Sequence, residues 1–142
     1  MATTVNNTTV NHRITILFDA AGDLDGNGPR LGTGNTESDV YLDSKVYLNL
    51  RSHTEIDPSI HALQWNASTN TGELEYIDNR QNESLSSFPQ WATNVVIRCE
   101  AQDAWQTAYD TAMAGDADAQ ANATTTANTA RDNYLSNHNI TY

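Results

Sequence analysis

The sequence predicts an α+β protein, with an N-terminal antiparallel β region built from hairpins followed by C-terminal α-helices. Three observations carry that expectation. Apolar and polar residues alternate over 13–18, 45–50 and 60–77, the period of a half-buried strand. Segments rich in Asn, Asp, Gly and Ser separate these runs, as turns do. From Trp91 onward the large apolar residues recur at helical spacing instead.

In chain order, residues 1–12 read as an N-terminal arm and residues 13–85 as a β-rich domain. The first strand, 13–18, places Ile14, Ile16 and Phe18 on one face and Thr15 and Leu17 on the other. A Gly- and Asp-rich loop occupies 19–36. The next strands are 40–42 and 45–50, with Val46, Leu48 and Leu50 alternating against Tyr47 and Asn49, and Asp43-Ser44 as a kink or tight turn. A hairpin is expected where 60–65 and 73–77 flank the turn-rich segment 66–72. Leu63 and Trp65 share one face of its first strand, and Leu74 and Tyr76 one face of its second, so the four form a small cluster if those faces coincide. His61, Glu73 and Glu75 fall on the opposite faces and are expected to meet water.

Residues 86–114 read as an amphipathic helix packed on the β domain. Ser87 is placed as N-cap and Pro89 in the first turn. Trp91, Val95, Arg98 and Cys99 lie at helical spacing, as do Ala101, Trp105, Ala108, Tyr109 and Ala112. Gly115-Asp116 marks a break. Residues 115–142 form an Ala/Thr-rich arm, helical or extended, with no large apolar side chain between 117 and 133. Alanine favours a helix there and Thr124, Thr125 and Thr126 weaken it. Two readings remain open for this arm, close packing against copies of itself or a frayed tail.

Leu, Ile, Val and Phe make up less than a fifth of the 142 residues, a thin supply for a core. The three Trp and six Tyr add large apolar area. A thin core of this kind is often completed by a neighbouring subunit. The net charge is −11 and Lys45 is the sole lysine, so the surface repels phosphates and no nucleic-acid partner is expected. Nor is a membrane partner, because nothing approaches the apolar run of about 20 residues that spans a bilayer. Residues 1–8 lack the basic segment and apolar core of an export signal, which predicts a protein made in a cytoplasm. Cys99 has no second cysteine to pair with and reads as a buried small hydrophobe.

Candidate sites are few. Asp23, Asp25 and Asn27, followed by Gly28, match the first half of a calcium loop, with oxygen ligands at alternate positions and glycine at the sixth. The twelfth position, which should carry a bidentate acid, is Gly34, so the match is weak and no metal is expected. Residues 26–34 are glycine-rich but hold no lysine and open no helix, which disfavours a phosphate cradle. His12, His53, His61 and His138 are scattered, short of the convergent ligands zinc requires. No Gly-x-Ser-x-Gly nucleophile elbow occurs. Glu73 and Glu75 sit two apart on a strand, which makes them its solvated face before it makes them an acid–base pair. No catalytic residue and no cofactor is expected. The residues that stand out are packing or interface candidates: Leu63, Trp65, Leu74, Tyr76, Trp91 and Trp105.

Several stretches carry a resemblance. They are Val40-Tyr41-Leu42-Asp43-Ser44-Lys45-Val46-Tyr47-Leu48-Asn49, Ile60-His61-Ala62-Leu63-Gln64-Trp65, Gly72-Glu73-Leu74-Glu75-Tyr76-Ile77-Asp78 and Phe88-Pro89-Gln90-Trp91-Ala92. In this order they resemble small virion-associated structural proteins of tailed bacteriophages, marine and cyanobacterial ones in particular, often encoded near tail-fibre proteins. The resemblance covers about residues 40–105 and transfers no active-site residues. It implies a non-enzymatic structural part of a virion, a homo-oligomer in contact with other virion structural proteins. A tail-fibre, fibre-adaptor or neck protein is the leading expectation and a capsid decoration protein the alternative. A receptor- or glycan-binding module, with Trp65 and Tyr76 as exposed stacking groups, is the alternative of another class.

Overall fold

The computed structural model describes residues 11–16, 38–50, 60–76 and 80–140. Strands β1 (His12–Ile16), β2 (Ser38–Leu42), β3 (Lys45–Leu50), β4 (Ile60–Asn66), β5 (Thr71–Tyr76) and β6 (Glu83–Leu85) form one antiparallel sheet in the order β3-β2-β1-β4-β5-β6. Helices α1 (Gln90–Met113), α2 (Ala117–Ala121) and α3 (Ala123–Asn137) follow. The chain is thus α+β, as the change of period from two to 3.6 predicts. The loop carrying Asp23, Asp25 and Asn27 lies outside the described residues, as do Leu17, Phe18 and Ile77.

The first of the described strands is a central strand in space. Ile14 is opposite Leu42 on β2 and Leu63 on β4, and both Ile14 and Ile16 are buried. An apolar residue in that position is covered by neighbours on either side, and burying one such side chain stabilises by about 1.5–3 kcal/mol. Directly opposed residues of an antiparallel pair share a face. The core face therefore carries Ile14, Ile16, Val40, Tyr47, Leu63, Trp65 and Leu74, all buried.

Asp43-Ser44 is a tight turn between β2 and β3, with Leu42 opposite Lys45. Asp43 has φ 58°, a conformation Asp reaches more readily than most residues. The turn is tied to β1: Asp43 N donates to Arg13 O at 2.8 Å, Arg13 N donates to Asp43 Oδ1 at 3.0 Å, and His12 Nδ1 lies 3.1 Å from Asp43 Oδ2. This register sets the phase of β3. Val40 is opposite Tyr47, so Tyr47 is buried, whereas Val46 is 39 % exposed beside Tyr41 at 40 %. A one-residue offset exchanges the faces of a strand, and here the two-residue turn sets the offset.

The β4–β5 hairpin has the expected limbs, with Leu63 opposite Leu74 and Trp65 opposite Gly72. A bulge between Ile60 and Ala62 leaves Ile60 opposite Tyr76, which turns Ile60 onto the core face. In the connecting turn Asn66 Oδ1 accepts from Ser68 N and Ser68 Oγ, and Asn70 has φ 52°. The edge strand β6 was not expected from the sequence. Three residues carry no readable period, and pairing to β5 together with Tyr76 Oη donating to Glu83 Oε1 at 2.7 Å holds it.

Helix α1 starts at Gln90, later than the Ser87 cap predicts. The Pro89 carbonyl accepts from Ala92 N and Thr93 N at 3.1 Å, so Pro89 itself stands at the cap position. Phe88 is left free of the helix and meets Trp65 edge-on, ring centroids 5.5 Å apart at 77°.

The chain divides into two compact units, with the boundary inside α1 between Val96 and Ile97. The helix is therefore divided between the two units. In the unit that begins at Ile97, α3 runs back along α1. Trp105 Nε1 donates to Asn128 Oδ1 at 2.8 Å and Tyr134 Oη to Glu100 Oε1 at 2.6 Å, the order of an antiparallel hairpin. The seam is narrow, with Ala101, Ala123 and Ala127 buried and Leu135 as its largest fully buried α3 side chain. The Ala/Thr-rich arm is thus helical, and α3 lies along α1 of its own chain. Gly115-Asp116 is the break. Asp116 caps α2 by accepting from Ala119 N, and Gln120 Nε2 donates to the Met113 and Gly115 carbonyls that α1 leaves open. Asn139, with φ 61°, ends α3 in a Schellman arrangement in which Ile140 N donates to Leu135 O.

Candidate functional site

The sheet face opposite the core carries a polar row, and the pairing that fixes the core face fixes it too. Arg13, Gln64, Glu73 and Ser84 lie in one cross-strand row, since Arg13 is opposite Gln64, Gln64 opposite Glu73, and Glu73 opposite Ser84. Glu75, opposite Ala62, sits next to the row. Arg13 grips Glu75 with both terminal nitrogens, at 2.9 and 3.2 Å, and donates a third bond to Gln64 Oε1 at 3.3 Å. Bidentate guanidinium–carboxylate geometry is the strong form of an ion pair.

Glu75 therefore departs from the expected solvated face: its side chain is 26 % exposed and paired. Hydrogen bonding to Arg13 holds its carboxyl below the usual carboxylate range, against an opposing effect of burial, and the same bond pushes the Arg13 guanidinium up. A carboxyl held ionised in this way is no proton donor near neutral pH. Its partner Arg13 is invisible to a reading of strands one at a time, because β1 and β4 must first be neighbours. Glu73 is exposed as expected, and Asn82 Nδ2 donates to it at 3.2 Å.

A folded-state pKa below the unfolded value stabilises the fold above the unfolded pKa, and that stabilisation is lost as pH falls through the folded pKa. Glu75→Gln is accordingly expected to lower stability near pH 7 by about 1 kcal/mol or less, given the partial exposure of Arg13. The difference from wild type should shrink to nothing as the pH drops below the carboxylate range. Urea unfolding midpoints of the two proteins across pH check this, and a gap that persists in acid would refute it.

Beyond Arg13 the row opens into a shallow groove of about 380 Å³, lined by Gln64, Asn66, Thr71, Gly72, Glu73, Ser84 and Leu85. Leu85 is its one large apolar lining residue.

Of the residues singled out from the sequence, Leu63, Trp65 and Leu74 are buried together on the core face. Trp65 is 2 % exposed, and its Nε1 is buried with no hydrogen-bond partner among the described residues. Tyr76 is half-buried, with the Arg80 guanidinium 4.3 Å from its ring centroid. Neither ring is thus an open stacking platform. Trp91 is half-buried in the first turn of α1. Trp105 is half-buried and stacks on Tyr109 at 5.0 Å with the rings 8° apart. Tyr134 in the same unit has its phenol pKa raised, first by burial and then by the hydrogen bond to Glu100. Among the described residues no group of three or more His, Cys, Asp or Glu is placed to hold a metal ion, and no helix is long and apolar enough to cross a membrane.

Comparison with protein-family models, curated proteins and solved structures gives no match.

Proposed function

We propose that this protein is a non-enzymatic structural component of a tailed-phage virion, a homo-oligomeric tail-fibre, fibre-adaptor or neck protein that contacts other virion structural proteins. The observation that carries self-assembly is an apolar strip on α1. Trp105, Tyr109 and Met113 recur at every fourth position, so they line one side of the helix. Trp105 and Tyr109 are only half-buried and Met113 is 42 % exposed. Half of the buried residues of the unit that carries them are alanines, Ala101, Ala123 and Ala127, and the strip is apolar area that the described residues leave partly uncovered. Aromatic residues and Met are enriched where protein surfaces meet. The resemblance of residues 40–105 to virion-associated proteins supplies the setting.

Light scattering after size exclusion tests the reading. A closed multimer is expected, and Met113→Asp, at an exposed position, should shift it toward smaller species without unfolding it. Because each chain carries −11, the multimer should also be favoured by added salt, which screens like charges. A wild-type protein that stays monomeric at all salt concentrations would count against self-assembly.

A further inference from the structure

We infer that the contact between copies is heterologous: the strip of Trp105, Tyr109 and Met113 on one copy packs against the outer corner of the β2–β3 hairpin, Tyr41 and Val46, of the next. The inference rests on the proposed self-assembly and names the surface that the strip meets.

Among the described residues three large hydrophobic side chains are exposed, Tyr41, Val46 and Met113. They fall into two patches. Tyr41 and Val46 are directly opposed, so they share the face of β2 and β3 that points away from buried Tyr47, and β3 is the end strand of the described sheet. Met113 ends the α1 strip, one turn beyond Tyr109. Tyr on one patch, and Met, Trp and Tyr on the other, are residue types enriched at the centre of protein interfaces.

Charge pairs one patch with the other in preference to itself. Residues 99–130 hold five acids, Glu100, Asp103, Asp110, Asp116 and Asp118, and no Lys, Arg or His. Asp110 and Asp116 are exposed, each three residues from Met113. No basic residue stands in the last turn of α1, so nothing there offsets the negative end of the helix dipole. Two strips face to face would bring these acids against each other. The stretch 44–54 is the reverse, with Lys45 and Arg51 and no Asp or Glu. Lys45 is exposed beside Val46, with its ammonium 4.9 Å from the Tyr47 ring centroid at the sheet edge. The acid before it, Asp43, already accepts from Arg13 N and lies 3.1 Å from His12 Nδ1. Whole copies repel at −11 each, so they meet where the local charges differ in sign. Each copy then uses both patches, one toward each neighbour, and a closed multimer built this way is a ring.

The test is complementation between variants of the full chain, read by sedimentation velocity. Met113→Asp spoils the strip and leaves the hairpin corner intact, and Val46→Asp does the opposite. Each alone should fall to monomer, since a carboxylate placed in the contact weakens it by at least about tenfold. Mixed in equal amounts they should form a discrete heterodimer, because the intact corner of the first meets the intact strip of the second. Lys45→Glu, at an exposed position, should weaken assembly severalfold while leaving both apolar patches in place. Urea midpoints establish that each variant is folded, and Tyr41→Thr replaces Val46→Asp if the latter is not. A monomeric wild type would overturn self-assembly and this contact with it. A wild-type multimer that persists in Val46→Asp or Tyr41→Thr, or a mixture that gives no heterodimer, would overturn the heterologous contact alone and leave self-assembly standing.

Discussion

Trp65→Ala is expected to destabilise the protein by about 3–5 kcal/mol, the range for removing a large aromatic side chain from a packed core. Trp65 is 2 % exposed on a strand with paired neighbours on both sides, so the surrounding backbone has little freedom to collapse into the space. The loss includes the edge-on contact with Phe88, a geometry that adds about 0.5–1.5 kcal/mol beyond buried area. Single domains carry only about 5–15 kcal/mol in total, so a large part of the stability of the sheet unit is at stake. Trp65→Phe separates packing from polarity. It keeps an aromatic ring against Phe88 and removes an indole N–H that is buried without a partner, a group that costs about 1–3 kcal/mol. Its cost should be markedly smaller than that of Trp65→Ala, and urea unfolding of the two variants measures the difference. If Trp65→Ala folded as stably as wild type, Trp65 would not be a core residue.

The α+β class was legible because two periods are written in the chain, alternation before residue 78 and helical spacing after residue 90. The hairpin limbs around Asn66 to Gly72 were legible for the same reason, with turn residues marking the gap. What failed depended on pairing. Val46 and Tyr47 are both apolar enough to face a core, so the run reads equally well in either phase; the Asp43-Ser44 turn chooses, by setting Leu42 opposite Lys45. β6 has too few residues for a period and exists because β5 has an edge to pair with. In the C-terminal stretch the sequence shows good helix formers and a break at Gly115-Asp116. That α3 folds back on α1 depends on specific partners, Trp105 with Asn128 and Glu100 with Tyr134, more than 20 residues apart.

The candidate site was less legible still. Glu73 and Glu75 share one strand face, as alternation predicts, but their environments differ because Arg13 comes from another strand. A hint was available: the chain has seven Lys and Arg against 18 Asp and Glu, so a cation on the polar face of a strand is worth tracing to an acid. The groove could not be read, since Ser84 belongs to an unpredicted strand and the amide orientations follow from hydrogen bonds made across the sheet.

Gly72→Ala is expected to be the most damaging of the smallest substitutions. A β-carbon built at Gly72 would lie 2.5 Å from the Gln64 carbonyl oxygen and 2.9 Å from Trp65 Cε3. The first of these is main chain of the opposed strand, held by the β4–β5 ladder, and it cannot swing away as a side-chain tip can. The second is the ring of a buried tryptophan already fixed against Phe88. Relief therefore requires the two strands to part at the Trp65–Gly72 pair, and Gly72 is also paired on its other side with Leu85. Overpacking a tight site costs about 1–3 kcal/mol, occasionally more, and the backbone clash places this variant at the upper end. Gly115→Ala is the internal control. There the new carbon would meet the Ala119 side chain at 3.0 Å and the Ala112 carbonyl oxygen at 3.3 Å, in an exposed turn between helices that can yield by a few tenths of an ångström. Gly72→Ala should lower the urea midpoint well below wild type while Gly115→Ala moves it far less. If the two variants were equally stable, the close approach of Trp65 to the β5 backbone would have to be given up, and with it the account of why a glycine stands at that point of the strand.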